Sequence, residues 1–145
     1  MRGMVIVERR DGAFFLASYS KTVPGFWVMN GWVCRLEDGA PDETLGVAVD
    51  RGLESSKTDV EAPPRNVNSA TPLLELAGVR SFAAYMQGAL SVGITREGET
   101  VTIEPTRNEG PRGGFTSLPD RVQVMQQPSR GDLGKAIREA FAHSL

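Results

Sequence analysis

Apolar and polar positions change their period several times along the chain, and each change marks an element. Val5-Ile6-Val7 and the run Ala13–Tyr19 are β-rich and are separated by Arg10-Asp11-Gly12. Asp-Gly supplies the positive φ angles of a tight turn, so these runs are expected to pair as a hairpin. Phe26–Met29 and Trp32–Leu36 flank Asn30-Gly31, the same signal again, and Pro24-Gly25 turns the chain into this second ribbon. The period then becomes helical: Leu45, Ala48, Val49 and Leu53 form one apolar stripe. Pro41, Asp42 and Glu43 suit its first turn, where proline loses no needed hydrogen bond and acids meet the helix dipole.

Residues 57–72, with Pro63-Pro64, Asn66, Asn68 and Pro72, read as a surface loop long enough to suggest a role. Leu73–Gln87 looks helical in pieces, broken at Gly78. Leu90, Val92 and Ile94, then Val101 and Ile103, alternate with small or polar residues around Glu97-Gly98-Glu99, a hairpin with one buried face. Pro105–Phe115 is expected to be a long Gly/Pro loop and Arg121–Gln126 a last strand. Leu133, Ala136, Ile137, Ala140 and Phe141 make a second helical stripe, opened by Ser129 and Asp132 in a pattern close to a capping box.

The two long helices match each other without gaps, Leu45-Gly46-Val47-Ala48-Val49 on Leu133-Gly134-Lys135-Ala136-Ile137. A glycine inside a helix costs roughly 1 kcal/mol against alanine. Its presence at both places points to close approach of helix to sheet. The expected fold is a single α+β domain over residues 1–145. Its antiparallel sheet has about five to seven strands, with two similar amphipathic helices packed on one face.

Composition narrows the function. The single cysteine, Cys34, permits neither an intramolecular disulfide nor a thiolate zinc cluster, and a reducing compartment, the cytoplasm, is the simpler reading. The first ten residues lack the apolar core of a signal peptide, and no stretch approaches the ~20 apolar residues that cross a bilayer, so no membrane association is expected. The net charge of −2 carries none of the basic excess of a nucleic-acid binder. Residues 37–61 hold eight acids against two bases, a local −6. A solvated helix face accounts for this; the sharper alternative is an acidic surface for a basic partner.

No reaction class emerges, and the chain is read as a non-enzyme. His143, close to a chain end, is a poor platform for a catalytic base. Cys34 lies in a β-run with no activating histidine placed by sequence. Gly110-Pro111-Arg112-Gly113-Gly114 is neither a Walker loop nor a dinucleotide fingerprint. One His and one Cys leave only carboxylates for a metal, and no calcium-loop spacing occurs, so neither metal nor cofactor is expected. Among Tyr19, Phe26, Trp27 and Trp32, those left outward by strand alternation are natural interface anchors.

The order and spacing of several motifs carry a resemblance over about Phe14 to His143. They are Ser18-Tyr19-Ser20-Lys21-Thr22, Gly25-Phe26, the Leu45-Gly46 helix ending in Ser55-Ser56, Pro72-Leu73-Leu74, Ala77-Gly78-Val79-Arg80-Ser81-Phe82, Pro105-Thr106-Arg107-Asn108 and the Asp132-Leu133-Gly134 helix. Together they resemble the immunity proteins of bacterial contact-dependent growth inhibition systems. The resemblance implies inhibition by binding: one cytoplasmic monomer holding the C-terminal toxin domain of a surface-delivered effector, a nuclease and in related systems frequently a tRNA-cleaving one. That family defines no shared catalytic residues. On physical grounds the toxin-interface candidates are Trp27 and Trp32, Arg107 and Arg112, and the acids Asp42, Glu43 and Glu54. The alternative reading is a small anion- or nucleotide-binding domain or enzyme that uses the Arg107–Phe115 loop.

Overall fold

A computed structural model describes residues 2–145. In chain order the elements are β1 (Arg2–Arg10), β2 (Ala13–Lys21), β3 (Trp27–Glu37), α1 (Asp42–Ser55), α2 (Thr71–Ala77) and α3 (Phe82–Met86). They are followed by β4 (Leu90–Glu97), β5 (Thr100–Asn108), α4 (Gly110–Gly113), β6 (Phe115–Ser117), a 3₁₀ turn at Pro119–Arg121, β7 (Gln123–Gln126) and α5 (Arg130–His143). The seven strands form one antiparallel sheet in the order β3-β2-β1-β4-β5-β6, with β7 also paired to β5.

The β1–β2 hairpin forms as expected, with Asp11 and Gly12 both at positive φ. The second Asn-Gly pair behaves differently. Trp27–Glu37 is one continuous strand against β2, and Asn30-Gly31-Trp32 is a bulge: Ala17 faces Val33 and Tyr19 faces Met29, so three residues oppose Ser18 alone. A two-residue turn of the expected kind needs both central residues at positive φ. Only Gly31 has it, because the Asn30 side chain is tied to β2 instead. The expected loop at 105–115 is likewise shorter than read. β5 continues through Asn108 in register with β6, and only the α4 turn separates them.

Strand alternation then sorts the core into two layers. Val5, Val7, Phe14, Leu16, Val92, Ile94, Val101 and Ile103 face α1 and α5. Ala13, Phe15 and Ala17 point the other way, under Leu73 and Leu74 of α2 and Tyr85 of α3. The central strand β2 is therefore covered on both sides, which explains why Ala13–Ala17 is uninterruptedly apolar. Two helices on one face were expected and are there. The helical pieces expected over Leu73–Gln87 are α2 and α3, separated at Gly78; their packing on the opposite face was not expected, because five to seven residues are too few to show which side they bury.

The paired glycines bring helix to helix, not helix to sheet. A methyl group on Gly46 would overlap the Arg130 carbonyl, and one on Gly134 would overlap the Asp42 carbonyl. Each helix thus seats its glycine, one turn in, on the first residue of the other. Arg138 of α5 reinforces the contact: its Nε lies 2.7 Å from Asp42 Oδ1, and its guanidinium donates to the carbonyls of Asp38 (2.6 Å) and Ala40.

This geometry reverses an ordinary substitution rule. In an open helix Gly134→Ala would add roughly 1 kcal/mol of stability. Here it must push α1 and α5 apart, so a loss of about 2–4 kcal/mol is expected in urea unfolding. A neutral or stabilising result would show that the helices do not meet at this point.

Candidate partner-binding groove

β3 is an edge strand, hydrogen-bonded to β2 on one side only. A groove of about 500 Å³ runs beside it, within the size range of ligand and peptide sites. Val28 and Trp32 of β3 line one side, and Val60 and Pro63 of the following segment line the other; Met29 also borders the groove, but its side chain packs against the second core layer. Thr22, at the end of β2, bridges to Val60, and the Val23 amide donates to the Val60 carbonyl at 2.9 Å. The β2–β3 connection is thereby anchored next to the groove, leaving Val23 and Phe26 exposed there.

Trp32 reaches this wall because Gly52 of α1 has no side chain. A Cβ at Gly52 would lie 2.9 Å from the indole and 2.7 Å from Val5. The floor is polar and organised by Asn30. Its Nδ2 donates to Ser18 Oγ (2.9 Å), Ser20 Oγ (3.1 Å) and the Ser55 carbonyl (3.2 Å), and its Oδ1 accepts from the Trp32 amide (3.1 Å). Ser18 in turn donates to the Gly52 carbonyl at 2.6 Å, and Ser20 Oγ accepts from the Lys57 amide at 3.0 Å. One amide side chain therefore ties the bulge to β2 and to the end of α1, and the carbonyl end of the helix is closed without a capping glycine.

The acidic segment is largely cross-linked by arginines from elsewhere. Glu37 pairs with Arg35 (2.6 Å), Asp38 with Arg9 (3.2 Å) and Asp42 with Arg138 (2.7 Å); Asp50 lies between Arg96 (3.4 Å) and Arg130 (3.3 Å). Glu43, Glu54, Asp59 and Glu61 make no ion pair among the described residues. The local −6 of the sequence is thus about half spent inside the molecule.

The seven interface candidates do not form one cluster. Trp27 and Trp32 lie on β3, and Glu54 is exposed beside Ser55 at the groove end of α1. Asp42 and Glu43 sit at the opposite end of that helix, about 18 Å away at 1.5 Å per residue. Arg107 and Arg112 lie on β5 and α4, four strand spacings or about 19 Å across the sheet from β3. Arg107 is 3.7 Å from Glu109, and Arg112 is exposed. The turn that carries Arg112 is closed on itself: Glu109 N donates to the Gly114 carbonyl, Gly114 N to the Gly110 carbonyl, and Gly110 N to Asn108 Oδ1. Those amides are not free to cradle an anion.

Val28, Met29, Asn30, Lys57 and Val60 were not among the candidates. The sequence carried two hints: the length of the Pro-rich segment after residue 57, and an Asn-Gly pair within a run with apolar residues on both sides. Cys34 is half-buried on β3, where burial pushes its thiol up and the Arg51 guanidinium opposes the shift. His143 is exposed at the end of α5. No group of three or more potential metal ligands occurs among the described residues, and no helix is long and apolar enough to cross a membrane.

The family model of the CDI immunity proteins (CdiI) matches residues 4–144. The chain belongs to this family. Two solved structures share the fold of this immunity protein. One is a Neisseria meningitidis protein of unknown function, with a TM-score of 0.82 and 16% identity over 100% of this chain and 96% of that one. The other is a chain of the CdiA-CT/CdiI toxin and immunity complex from Yersinia pseudotuberculosis, with a TM-score of 0.80 and 17% identity over 100% of this chain and 98% of that one. No curated protein sequence matches. At these identities the two neighbours establish the fold alone, whereas the family model establishes the membership.

Asn30 is the residue on which the groove's shape depends. Asn30→Ala should cost about 1–2 kcal/mol in chemical unfolding, since it leaves Ser18, Ser20 and the Ser55 carbonyl short of a donor. Asn30→Asp, which keeps the shape but removes the donor, should lose a similar amount. Unfolding midpoints of the two variants indistinguishable from wild type would show that the network does not hold the bulge.

Proposed function

We propose that this CDI immunity protein acts in the cytoplasm as a monomer, binding the C-terminal toxin domain of its cognate effector one-to-one and neutralising it without turnover. The observation that carries the reading is the groove along β3. It joins apolar walls and an ordered hydrogen-bonding floor in one place, beside the strand that ends the sheet. Aromatic and apolar anchors in a partly desolvated pocket are the usual centre of a protein interface, and polar groups at the rim set orientation. The backbone groups on the free edge of β3 add hydrogen-bonding capacity that is the same for every residue type.

The toxin is proposed to be a nuclease, with a tRNA-cleaving activity the first to assay. Glu54, Asp59 and Glu61 support this. These acids lie at or near the groove without ion pairs among the described residues, where they would meet the basic surface that a nuclease presents to its substrate. Trp27 and Trp32 are proposed as groove contacts, and Glu54 as a rim contact. Asp42, Glu43, Arg107 and Arg112 remain proposals of lower reach, since they lie far from that groove.

Co-expression with the toxin domain encoded next to this gene tests the reading. A one-to-one complex and restored growth are expected; no complex and no rescue would overturn it. Within the complex, Trp32→Ala combined with Val28→Ala should weaken binding by roughly 30- to 1000-fold, mainly through faster dissociation. Arg112→Ala should change affinity less than about threefold, within the range of a rim contact. The reverse ranking, read by surface plasmon resonance, would move the interface to the β5–α4 end of the sheet.

A further inference from the structure

Glu8 is a carboxyl group in the wrong place for a charge. It points from β1 into the layer beneath α2 and α3 and is 3% exposed. Its contacts are hydroxyls: Tyr85 Oη donates to Oε1 at 2.8 Å, and Ser91 Oγ lies 2.7 Å from Oε2. No cation lies within ion-pair distance among the described residues. Burial therefore pushes Glu8 up to about 7, with the Ser91 and Tyr85 hydrogen bonds opposing the shift.

The groups facing it do not supply a counter-charge. On β1 itself, Arg10 turns its guanidinium over the Phe15 and Tyr85 rings and pairs with Asp11 at 3.4 Å. On β3, Arg35 lies over the opposite side of the same layer at Phe15 and pairs with Glu37. From β2 comes Tyr19 and from α3 Tyr85, both pushed up by burial and then by Glu8 itself, and therefore neutral. From β4 comes only Ser91. A protonated Glu8 fits this setting, because its O–H can donate to Ser91 Oγ while its other oxygen accepts from Tyr85.

We propose that Glu8, Tyr85 and Ser91 form a proton-held latch that fastens α3 onto the sheet and loosens it as Glu8 loses its proton. The geometry makes α3 the element that gives way. It is five residues long, and it covers Glu8 directly with Tyr85. Its other side-chain hydrogen bonds to the rest of the fold are Arg10 Nε to the Tyr85 carbonyl at 3.0 Å and Asn108 Nδ2 to the Met86 carbonyl, with Ala89 just after it held by the same amide, and its packing rests on two side chains, Tyr85 and Met86. When α3 lifts, water reaches the carboxyl, the proton passes to solvent, and the hydroxyls of Tyr85 and Ser91 are rehydrated. The sign follows from linkage. Closure is favoured wherever the closed form holds the proton more tightly, so its advantage is complete below the open-state value of 4.5 and is lost as pH rises through about 7. The latch does not depend on the identity of the partner; α2 lies between α3 and the segment that supplies Pro63 to the groove.

Native-state hydrogen exchange of the full chain from pH 5 to 8, corrected for intrinsic exchange, tests this. The amides of Tyr85, Gln87 and Ala89, all hydrogen-bonded within or just after α3, should open more readily than that of Ile137 in α5. Their opening constant should rise roughly 70-fold across that range, as a shift from 4.5 to about 7 requires. Glu8→Gln, which mimics the neutral acid, should flatten the rise. If Glu8→Gln does not fold, the ¹³C resonance of the Glu8 carboxyl in the wild type serves instead. It should titrate near 7, and higher in Tyr85→Phe, which removes a donor to the carboxylate. A wild-type titration near 4.5, α3 amides that exchange only together with Ile137, or a rise that survives in Glu8→Gln would each overturn the latch.

Discussion

The contact of two helices at two glycines is the constraint from which the rest of the molecule follows. Gly46 seats on the Arg130 carbonyl and Gly134 on the Asp42 carbonyl, so α1 and α5 fix each other's starting points. With the starts fixed, the stripe Leu45, Val49 and Leu53 lies over β1 and β2, and Leu133 and Ile137 lie beside it. The far end of α1 is then determined as well. Gly52 arrives under Trp32, and Ser55 arrives at Asn30, which is what gives the groove its wall and part of its floor. A contact at one end of the molecule thus positions a surface at the other, about 14 residues of helix away. The arginine Arg138 adds orientation, since it reaches Asp42 and two carbonyls of the connection before α1 with a single planar group.

How much of this was legible depended on the length over which a pattern persisted. The long helices and the β1–β2 and β4–β5 hairpins were plain, because stripes of four or five apolar residues and strict alternation are hard to produce otherwise. The matched glycines were visible too, but sequence cannot say what approaches a glycine, only that something does. The Asn30-Gly31 pair shows a different limit. Local turn chemistry favours a hairpin there, and the pairing of β2 with one long β3 overrides it, with the Asn30 side chain satisfying three acceptors that no local pattern reveals. α2 and α3 were legible as helical pieces broken at Gly78, but they are too short to show which side they bury, so the second core layer and the environment of Glu8 were not legible.

The candidate site was legible only in part, for the same reason. Trp27, Trp32 and Glu54 were singled out from residue type alone; the bulge at residues 30–32 turns Trp32 toward α1, the helix that carries Glu54, whereas Trp27, opposite Lys21 and two residues before Met29, falls on the other face of the sheet. Arg107 and Arg112 were singled out because Gly and Pro around them suggested mobility; instead, β5–β6 pairing and the closed α4 turn hold them in an ordered corner. The acids at the start of α1 illustrate why charge counts mislead. Asp42 belongs to the α1–α5 contact, and its partner Arg138 lies nearly a hundred residues away in sequence. No window of sequence can show that such a charge is already used.

That internal use of charge bears on how the groove can recognise a partner. With Asp38, Asp42 and Asp50 bound to arginines of the same chain, long-range attraction comes only from the remaining acids, and salt at physiological strength screens it beyond about 8 Å. In the proposed complex, tight binding then comes from the apolar walls and from hydrogen bonds made after the walls have excluded water. Such contacts discriminate by shape: a partner that buries Asn30, Ser20 or the edge of β3 without matching their hydrogen bonds leaves polar groups unsatisfied, at about 1–3 kcal/mol each. If the proposed groove is the interface, one immunity protein would in this way reject toxins of similar charge while holding its own, with a surface positioned by two missing side chains on two helices.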